Sequence, residues 1–325
     1  VTTHTRALVQ AFIVIVIWSA SWVLIKIGLE DVRPLTFAGL RYIVASGILC
    51  VIAARSASTR ASIRAFTRRD WAFLTAFGII WYALTQGAQF AALEKLPSVT
   101  LSLLITFTPV LVLLIAAFTL SERPTWQQGV GVVIFLAGAV IYFGLALPAA
   151  QLDGLLIGLL CMVSNAVSGV MGRYANKGGR IPVLALTTVS MTIGSVFLLA
   201  AGLIQEALTP VSVTVTTPAV FIQLGGVMPF AGSVLTAQAV LIILWLAAVH
   251  TALTYILWNL SLQHLTALES SVINNLMLAF IAVLAWVFLR ETLDSRQILG
   301  LVVATVGIMA VQVRWGRTGA IVVEA

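Results

Sequence analysis

At 325 residues the chain has room for two soluble domains, but its composition excludes them: 61% of residues are hydrophobic, 9% are charged and the mean hydropathy is +1.09. A soluble domain carries about 25% charged residues because its surface faces water, whereas the long uncharged stretches here must face lipid. The net charge of +7 is not laid out for nucleic acid: Arg55, Arg60, Arg64, Arg68 and Arg69 crowd one short loop between apolar runs, the pattern of a cytoplasmic membrane loop.

Crossing a bilayer core takes about 20 helical residues, and only helices or closed barrels satisfy the backbone there. In chain order the apolar runs are 8–29, 35–54, 71–93, 99–120, 126–147, 154–171, 182–204, 235–262, 268–289 and 297–313. They are continuously apolar rather than alternating, which excludes a barrel. The expected fold class is an all-α integral membrane protein of ten transmembrane helices. The first run has no convincing small-residue cleavage site before the polar turn and reads as a retained helix rather than a signal peptide. Pro34 and Pro182 suit first turns of helices, and Trp71 and Trp126 suit the membrane interface. Cys50 and Cys161 lie inside apolar runs as small packing residues, and no zinc, haem or iron–sulfur spacing is present, so no metal or cofactor is expected.

The stretch 206–234 breaks the pattern. Ser212, Thr214 and Thr216 alternate as in a short extended segment, and Pro218, Gly225, Gly226 and Pro229 break helices. It is expected to form an outer-face loop or lid, because an eleventh span would move the C-terminus outside.

Basic residues test the count. With the N-terminus inside, twelve fall on the cytoplasmic side: Arg6, the five loop arginines, Arg123, Arg173, Lys177, Arg180, Arg314 and Arg317. Five fall outside (Lys26, Arg33, Lys95, Arg290 and Arg296), and Arg41 is left within a span. Ten spans with both termini cytoplasmic is therefore the coherent orientation.

The chain also matches itself. Shifted by 169 residues, Leu120–Ser121–Glu122 falls on Leu289–Arg290–Glu291, Gln128 on Gln297, Gly131 on Gly300, Gly138 on Gly307 and Ser102 on Ser271. Earlier in the halves the shift is about 147, with Trp18 on Asn165, Ser21 on Ser168 and Lys26 on Arg173; the 22-residue difference locates the insertion before span eight. Five spans per half is an odd number, so the halves enter the membrane from opposite sides. Inverted repeats are a recurring plan of secondary transporters, because pseudo-symmetry supplies one state open to each side.

Taken together, these motifs resemble the drug/metabolite transporter superfamily, specifically its EamA-type exporters, from about residue 8 to 313. The resemblance rests on Trp18–Ser19 with Lys26, on Pro34 followed by Leu40–Arg41–Tyr42, and on Thr108–Pro109–Val110 with Leu120–Ser121–Glu122. In the second half it rests on Tyr255–Ile256–Leu257–Trp258–Asn259 and Leu289–Arg290–Glu291. It implies a first five-helix repeat over 8–147 and a second over 152–315, around a central cavity lined by spans one to four and six to nine. It also implies export of amino acids, related metabolites or drugs across a prokaryotic cytoplasmic (inner) membrane. Three departures stand out: Leu278 where the family often has proline, Ser164–Asn165 where span six usually has tryptophan, and the 22-residue insertion.

Intramembrane polar residues point to a pathway or to helix contacts. In span four Ser98, Ser102, Thr106 and Pro109 share a face, echoed by Ser271 and Asn275; small hydroxyls serve packing equally well. Adjacent Asn274 and Asn275 need several partners that lipid does not supply. Gln86 and Gln89 of span three fall on Tyr255 and Trp258 of span eight, an amide pair opposite an aromatic pair that would cradle a zwitterion with an apolar side chain, or else bond between helices. Trp18 and Trp22 share a face of span one. Asn165 is the repeat partner of Trp18. Arg41 either attracts a carboxylate or snorkels at a packing site. His250 near mid-depth of span eight and Glu269 one turn into span nine are candidates for proton coupling, though Glu269 also suits a helix N-terminus.

The expected activity is movement of small neutral or zwitterionic metabolites by alternating access, with a passive facilitator or drug exporter of the same fold as the alternative. No GxxxxGK[ST] loop supplies ATP. A membrane-embedded enzyme would need a catalytic constellation, and His4, His250 and His264 are too dispersed to form one. Expected partners are membrane lipid and a small-molecule substrate, not nucleic acid, in a monomer or homodimer.

Overall fold

The computed structural model describes residues 3–119, 125–144, 151–177, 181–208, 228–230, 233–262, 264–265 and 267–312. Over these residues the chain is almost wholly helical. The first half comprises α1 (Thr3–Gly28), α2 (Pro34–Arg55), a short amphipathic α3 (Ala57–Arg64) and α4 (Arg68–Gly78). A π-helical turn (Ile79–Thr85) carries α4 into α5 (Gln86–Lys95), followed by α6 (Ser98–Thr106), α7 (Thr108–Thr119) and α8 (Trp126–Phe143). The second half comprises α9 (Leu152–Lys177), α10 (Val183–Leu208), α11 (Ala237–Ala247), a second π-helical turn (Ala248–Leu253), α12 (Thr254–Leu262), α13 (Ala267–Leu289) and α14 (Ser295–Gln312). Among the described residues five helices are long and apolar enough to cross a membrane: α1, α2, α8, α9 and α10. Their outward faces carry large apolar side chains such as Val133, Leu156 and Phe197 in the open, an arrangement that suits lipid and not water.

The 169-residue shift recurs as local structure. Thr67 caps α4 by accepting from the Asp70 N–H, and Thr236 caps α11 by accepting from the Ala239 N–H. Thr125 and Gln128 form a reciprocal capping box at α8, as Asp294 and Gln297 do at α14. The two π-helical turns begin at Ile79 and Ala248, and α6 and α13 begin at Ser98 and Ala267, each pair 169 apart. One place breaks the correspondence. Pro109 has no N–H to give the carbonyl four residues back, so the helix is interrupted at Phe107 between α6 and α7. Its counterpart Leu278 is buried in α13, which runs unbroken.

Packing interlocks the halves. α1 lies against α11, α12 and α13 of the second half, while α9 lies against α5, α6 and α7 of the first and the π turn before α5. Two sheaves result, each assembled from both halves; α2 and α10 pack together, α2 reaching elements of both sheaves and α10 lying against α4 and the first π turn. α8 and α14 form a separate close pair through glycines. A Cβ on Gly131 would stand 2.8 Å from the Gly307 carbonyl oxygen, and one on Gly300 2.7 Å from that of Gly138. Exchanging repeat partners turns one contact into the other.

Two sequence expectations need correction. Glu206 is not part of an inserted loop: α10 runs to Leu208, and Glu206 is buried, bonded by the Thr36 hydroxyl at 2.9 Å and paired with Arg33 at 3.2 Å. A helix with a buried carboxylate near its end reads as polar loop when the partner lies 170 residues away. The Ser212–Thr216 alternation lies outside the described residues. Extended structure occurs instead at β1 (Met228–Phe230), antiparallel to β2 (Ser233–Leu235), so Leu235 belongs to a hairpin and not to the following helix.

Glu291 shows how loop charges serve the fold. Arg290 takes a left-handed φ of 56° and turns the chain at the end of α13. Glu291 then accepts from the Ser98 N–H (2.9 Å) and hydroxyl (3.1 Å) at the start of α6, with the Lys26 ammonium 3.6 Å away. Lys26 also donates to the Leu96 carbonyl. Glu291→Ala is expected to cost about 1–2 kcal/mol, as a lost helix cap does, and to lower the melting temperature of the purified protein; an unchanged melt would refute the cap.

Candidate functional site

The first group of candidates gathers where α1 meets α12. Trp18 donates its indole N–H to the Thr254 hydroxyl at 2.8 Å, and its ring lies 5.4 Å from that of Trp258. The Thr254 hydroxyl in turn donates to the His250 carbonyl at 2.7 Å, across the end of the π-helical turn. That turn shifts the phase of the helix just before Thr254 and Trp258, which brings both toward α1; π-helical insertions often mark functional sites.

Across α2 lies Arg41, 7% exposed. It does not snorkel to the surface. Its guanidinium sits 5.2 Å from the Tyr42 ring and 5.8 Å from that of Phe90, a cation–π sandwich between α2 and α5. One Nη approaches the Thr251 hydroxyl at 3.5 Å, and Nε has no hydrogen-bond partner among the described residues. Tyr42 also meets Tyr82 edge-on at 5.7 Å. Gln86 and Gln89 stand within one turn of Phe90, both half-buried and without a side-chain hydrogen bond among the described residues. They follow the first π turn as Tyr255 and Trp258 follow the second. The Tyr255 side chain lies outside the described residues.

Other candidates are placed differently. Ser102 and Thr106 bond to the Val99 and Ser102 carbonyls of their own helix, and Ser98 belongs to the Glu291 contact. Asn165 donates to the Thr108 hydroxyl at 3.2 Å, tying α9 to α7 beside the Pro109 break. Asn274 is exposed and Asn275 half-buried on α13. His250 is buried at 3% exposure within electrostatic reach of Arg41, its ring directed at the Trp245 and Ile17 carbonyls without a hydrogen bond of ordinary geometry among the described residues. Glu269 is not brought to it. Glu269 pairs with His4 at 3.0 Å in the first turn of α1, about 20 Å along that helix from Trp18 at 1.5 Å per residue. The two titratable candidates therefore do not form one site.

Sequence reasoning missed Thr251, Thr254, Tyr82 and Phe90. Thr254 had a signal: its repeat partner Thr85 is also buried and also bonds a carbonyl of the π turn. Among the described residues no group of three His, Cys, Asp or Glu side chains could hold a metal ion.

Comparison with known proteins gives a consistent neighbourhood. The EamA-like transporter family matches residues 5–144 and again 152–312. The uncharacterized transporter YvbV of Bacillus subtilis is 30% identical over 212 residues, 64% of this chain and 66% of that protein. A "Probable amino-acid metabolite efflux pump" of Salmonella typhimurium is 23% identical over 304 residues, 92% of each chain. A "Probable terminal-alkyne amino-acid exporter" of Streptantibioticus cattleyicolor is 23% identical over 315 residues, 95% of this chain and 94% of the other. A protein crystal structure of 17% identity superposes with a TM-score of 0.59 over 94% of this chain and 97% of its own, a likeness of fold alone.

Proposed function

The chain belongs to the EamA-like transporter family, and from that premise we propose that it exports small neutral or zwitterionic metabolites, amino acids among them, as a secondary transporter. Ten spans in two inverted repeats cross the cytoplasmic membrane, with both termini inside. The observation that carries the reading is the interlock: α1 packs on helices of the second half and α9 on helices of the first. Rocking one sheaf against the other would open and close the seam between them, where Arg41 of α2 approaches Thr251, first to one side and then to the other.

Contacts at the helix ends fit the orientation. Lys95–Asp153, Lys26–Glu291, Arg33–Glu206 and Thr236–Asp31 each join segments that the charge count assigns to the outer side. His4–Glu269 joins two assigned to the inner side. The names of two relatives speak for amino-acid substrates, and the half-buried amides Gln86 and Gln89 near Phe90 suit a zwitterion with an apolar side chain. The family has no enzymatic reading here, and the buried polar groups serve binding and helix contact.

Counterflow tests this. Proteoliposomes preloaded with unlabelled amino acids are expected to accumulate labelled amino acid transiently, and Gln86→Ala is expected to lower the rate at least severalfold, the scale of one lost hydrogen bond to a charged group. A non-saturating leak in place of counterflow would indicate a passive facilitator. Absence of any amino-acid exchange would sink the amino-acid assignment.

A further inference from the structure

We propose that Arg41, where it approaches Thr251 beside His250, forms the binding site for a substrate carboxylate, so that the protein selects metabolites bearing a single carboxylate and an apolar remainder. This rests on the carrier reading of the same seam and names its substrate class.

The argument begins with what Arg41 lacks. A guanidinium has five N–H donors and never loses its charge. Buried in this bundle, Arg41 has ring faces on two sides and one long contact to a hydroxyl, while Nε goes without a partner among the described residues. Among those residues no Asp or Glu pairs with it. An uncompensated buried charge is costly and is retained within membranes chiefly where a pathway or ligand uses it. His250 is buried within electrostatic reach of Arg41, and its ring is directed at the Trp245 and Ile17 backbone carbonyls without a hydrogen bond of ordinary geometry among the described residues. The unsatisfied guanidinium of α2 thus approaches the second π turn at Thr251, which follows His250 in the chain and whose hydroxyl bonds its own Leu246 carbonyl.

The chemistry of the missing partner follows. The Nε–Nη edge of arginine presents two parallel N–H donors that match the two oxygens of a carboxylate. The His250 imidazole would supply a third donor by turning from the Trp245 and Ile17 carbonyls. One fixed cation balances one negative charge, whereas a phosphate dianion would call for a second. Tyr42 and Phe90 beside the guanidinium, with Tyr82 against Tyr42, would offer apolar ring surface to the rest of the molecule once the seam opens. Both groups are closed off in this conformation, so the site would fill only when the seam opens.

Binding to the purified full chain in nanodiscs reads the proposal directly, by intrinsic tryptophan fluorescence, since Trp245 lies 6.4 Å from His250 ring to ring. The probes are the common amino acids, the matched amides leucinamide and phenylalaninamide, and the des-amino acids 4-methylpentanoate and phenylacetate. Acids are expected to bind saturably and amides not. Arg41→Gln is expected to weaken acid binding roughly 10- to 100-fold, the loss of a charge-assisted hydrogen-bond pair. Arg41→Lys keeps the charge without the fork and should fall between; a matching melting temperature separates lost binding from lost fold. His250→Gln, which retains a donor, should weaken binding only severalfold. Amides binding as tightly as acids, an affinity unchanged in Arg41→Gln, or silence from every acid would each overturn the site. Counterflow of amides or amines at an unchanged rate in Arg41→Gln would do so while leaving the carrier standing, whereas absence of any counterflow would remove the carrier reading itself.

Discussion

Gly138→Val is expected to remove most folded protein from the membrane, a destabilisation on the order of 3 kcal/mol. Between helices in lipid there is no hydrophobic drive to association, and close packing takes its place. A Cβ at Gly138 would stand 2.7 Å from the Ala304 Cα and 2.7 Å from the Gly300 carbonyl oxygen, both backbone atoms that no rotamer change can move. The α8–α14 pair would have to separate. Gly307→Val should behave alike, since a Cβ there would stand 2.6 Å from the Phe135 Cα. At Gly129, on the same helix, a Cβ would meet nothing within 4 Å, so Gly129→Val controls for valine in α8. The measurement is the monodisperse fraction after size exclusion, with the melting temperature of what remains. A Gly138→Val protein as abundant and stable as Gly129→Val would contradict the close approach.

Those glycines explain why the helical plan was legible. A stretch of apolar residues long enough to span a bilayer announces a helix without any knowledge of its neighbours, and the repeat announced which positions share an environment. Gln128 and Gln297 matched because each closes a capping box, and Gly131, Gly138, Gly300 and Gly307 matched because they meet one another. The π-helical turns were not legible: an i to i+5 turn changes helical phase without changing composition, so Ile79–Thr85 and Ala248–Leu253 read as ordinary spans.

The candidate site was legible as residues and not as pairs. Trp18 and Trp258, chosen separately, lie ring against ring at a tilt of 49°. His250 and Glu269, each chosen as a candidate for proton coupling, lie apart, because the spacing of titratable groups in sequence says nothing about which helix each one faces. Ser102 and Thr106 lay on one face as expected, yet each is satisfied by its own helix. A hydroxyl in a helix can always bond back to a carbonyl three or four residues earlier, which makes serine and threonine weak pointers to a pathway. Amides cannot do so as readily, and Gln86 and Gln89 keep their unused hydrogen-bonding capacity.

Glu206 carries the same lesson into energetics. Its carboxylate is fully buried near the C-terminal end of α10, where the helix dipole disfavours negative charge. Three things offset this: the Arg33 guanidinium at 3.2 Å, the Thr36 hydroxyl at 2.9 Å, and the first turn of α2, whose positive end begins at Pro34. Arg33→Ala leaves the carboxylate without its counter-charge and is expected to cost about 3–5 kcal/mol, the penalty for breaking a buried pair. Glu206→Gln should cost less, because Arg33 is 20% exposed and already donates to the Gln205 carbonyl at 3.2 Å. The double variant Arg33→Ala with Glu206→Gln should then be more stable than Arg33→Ala alone, since the stranded charge is gone. Thermal unfolding of the four proteins in nanodiscs checks that order. If the double variant instead sums the two single losses, Arg33 stabilises the α2–α10 contact by packing, and the buried charge is not what it holds.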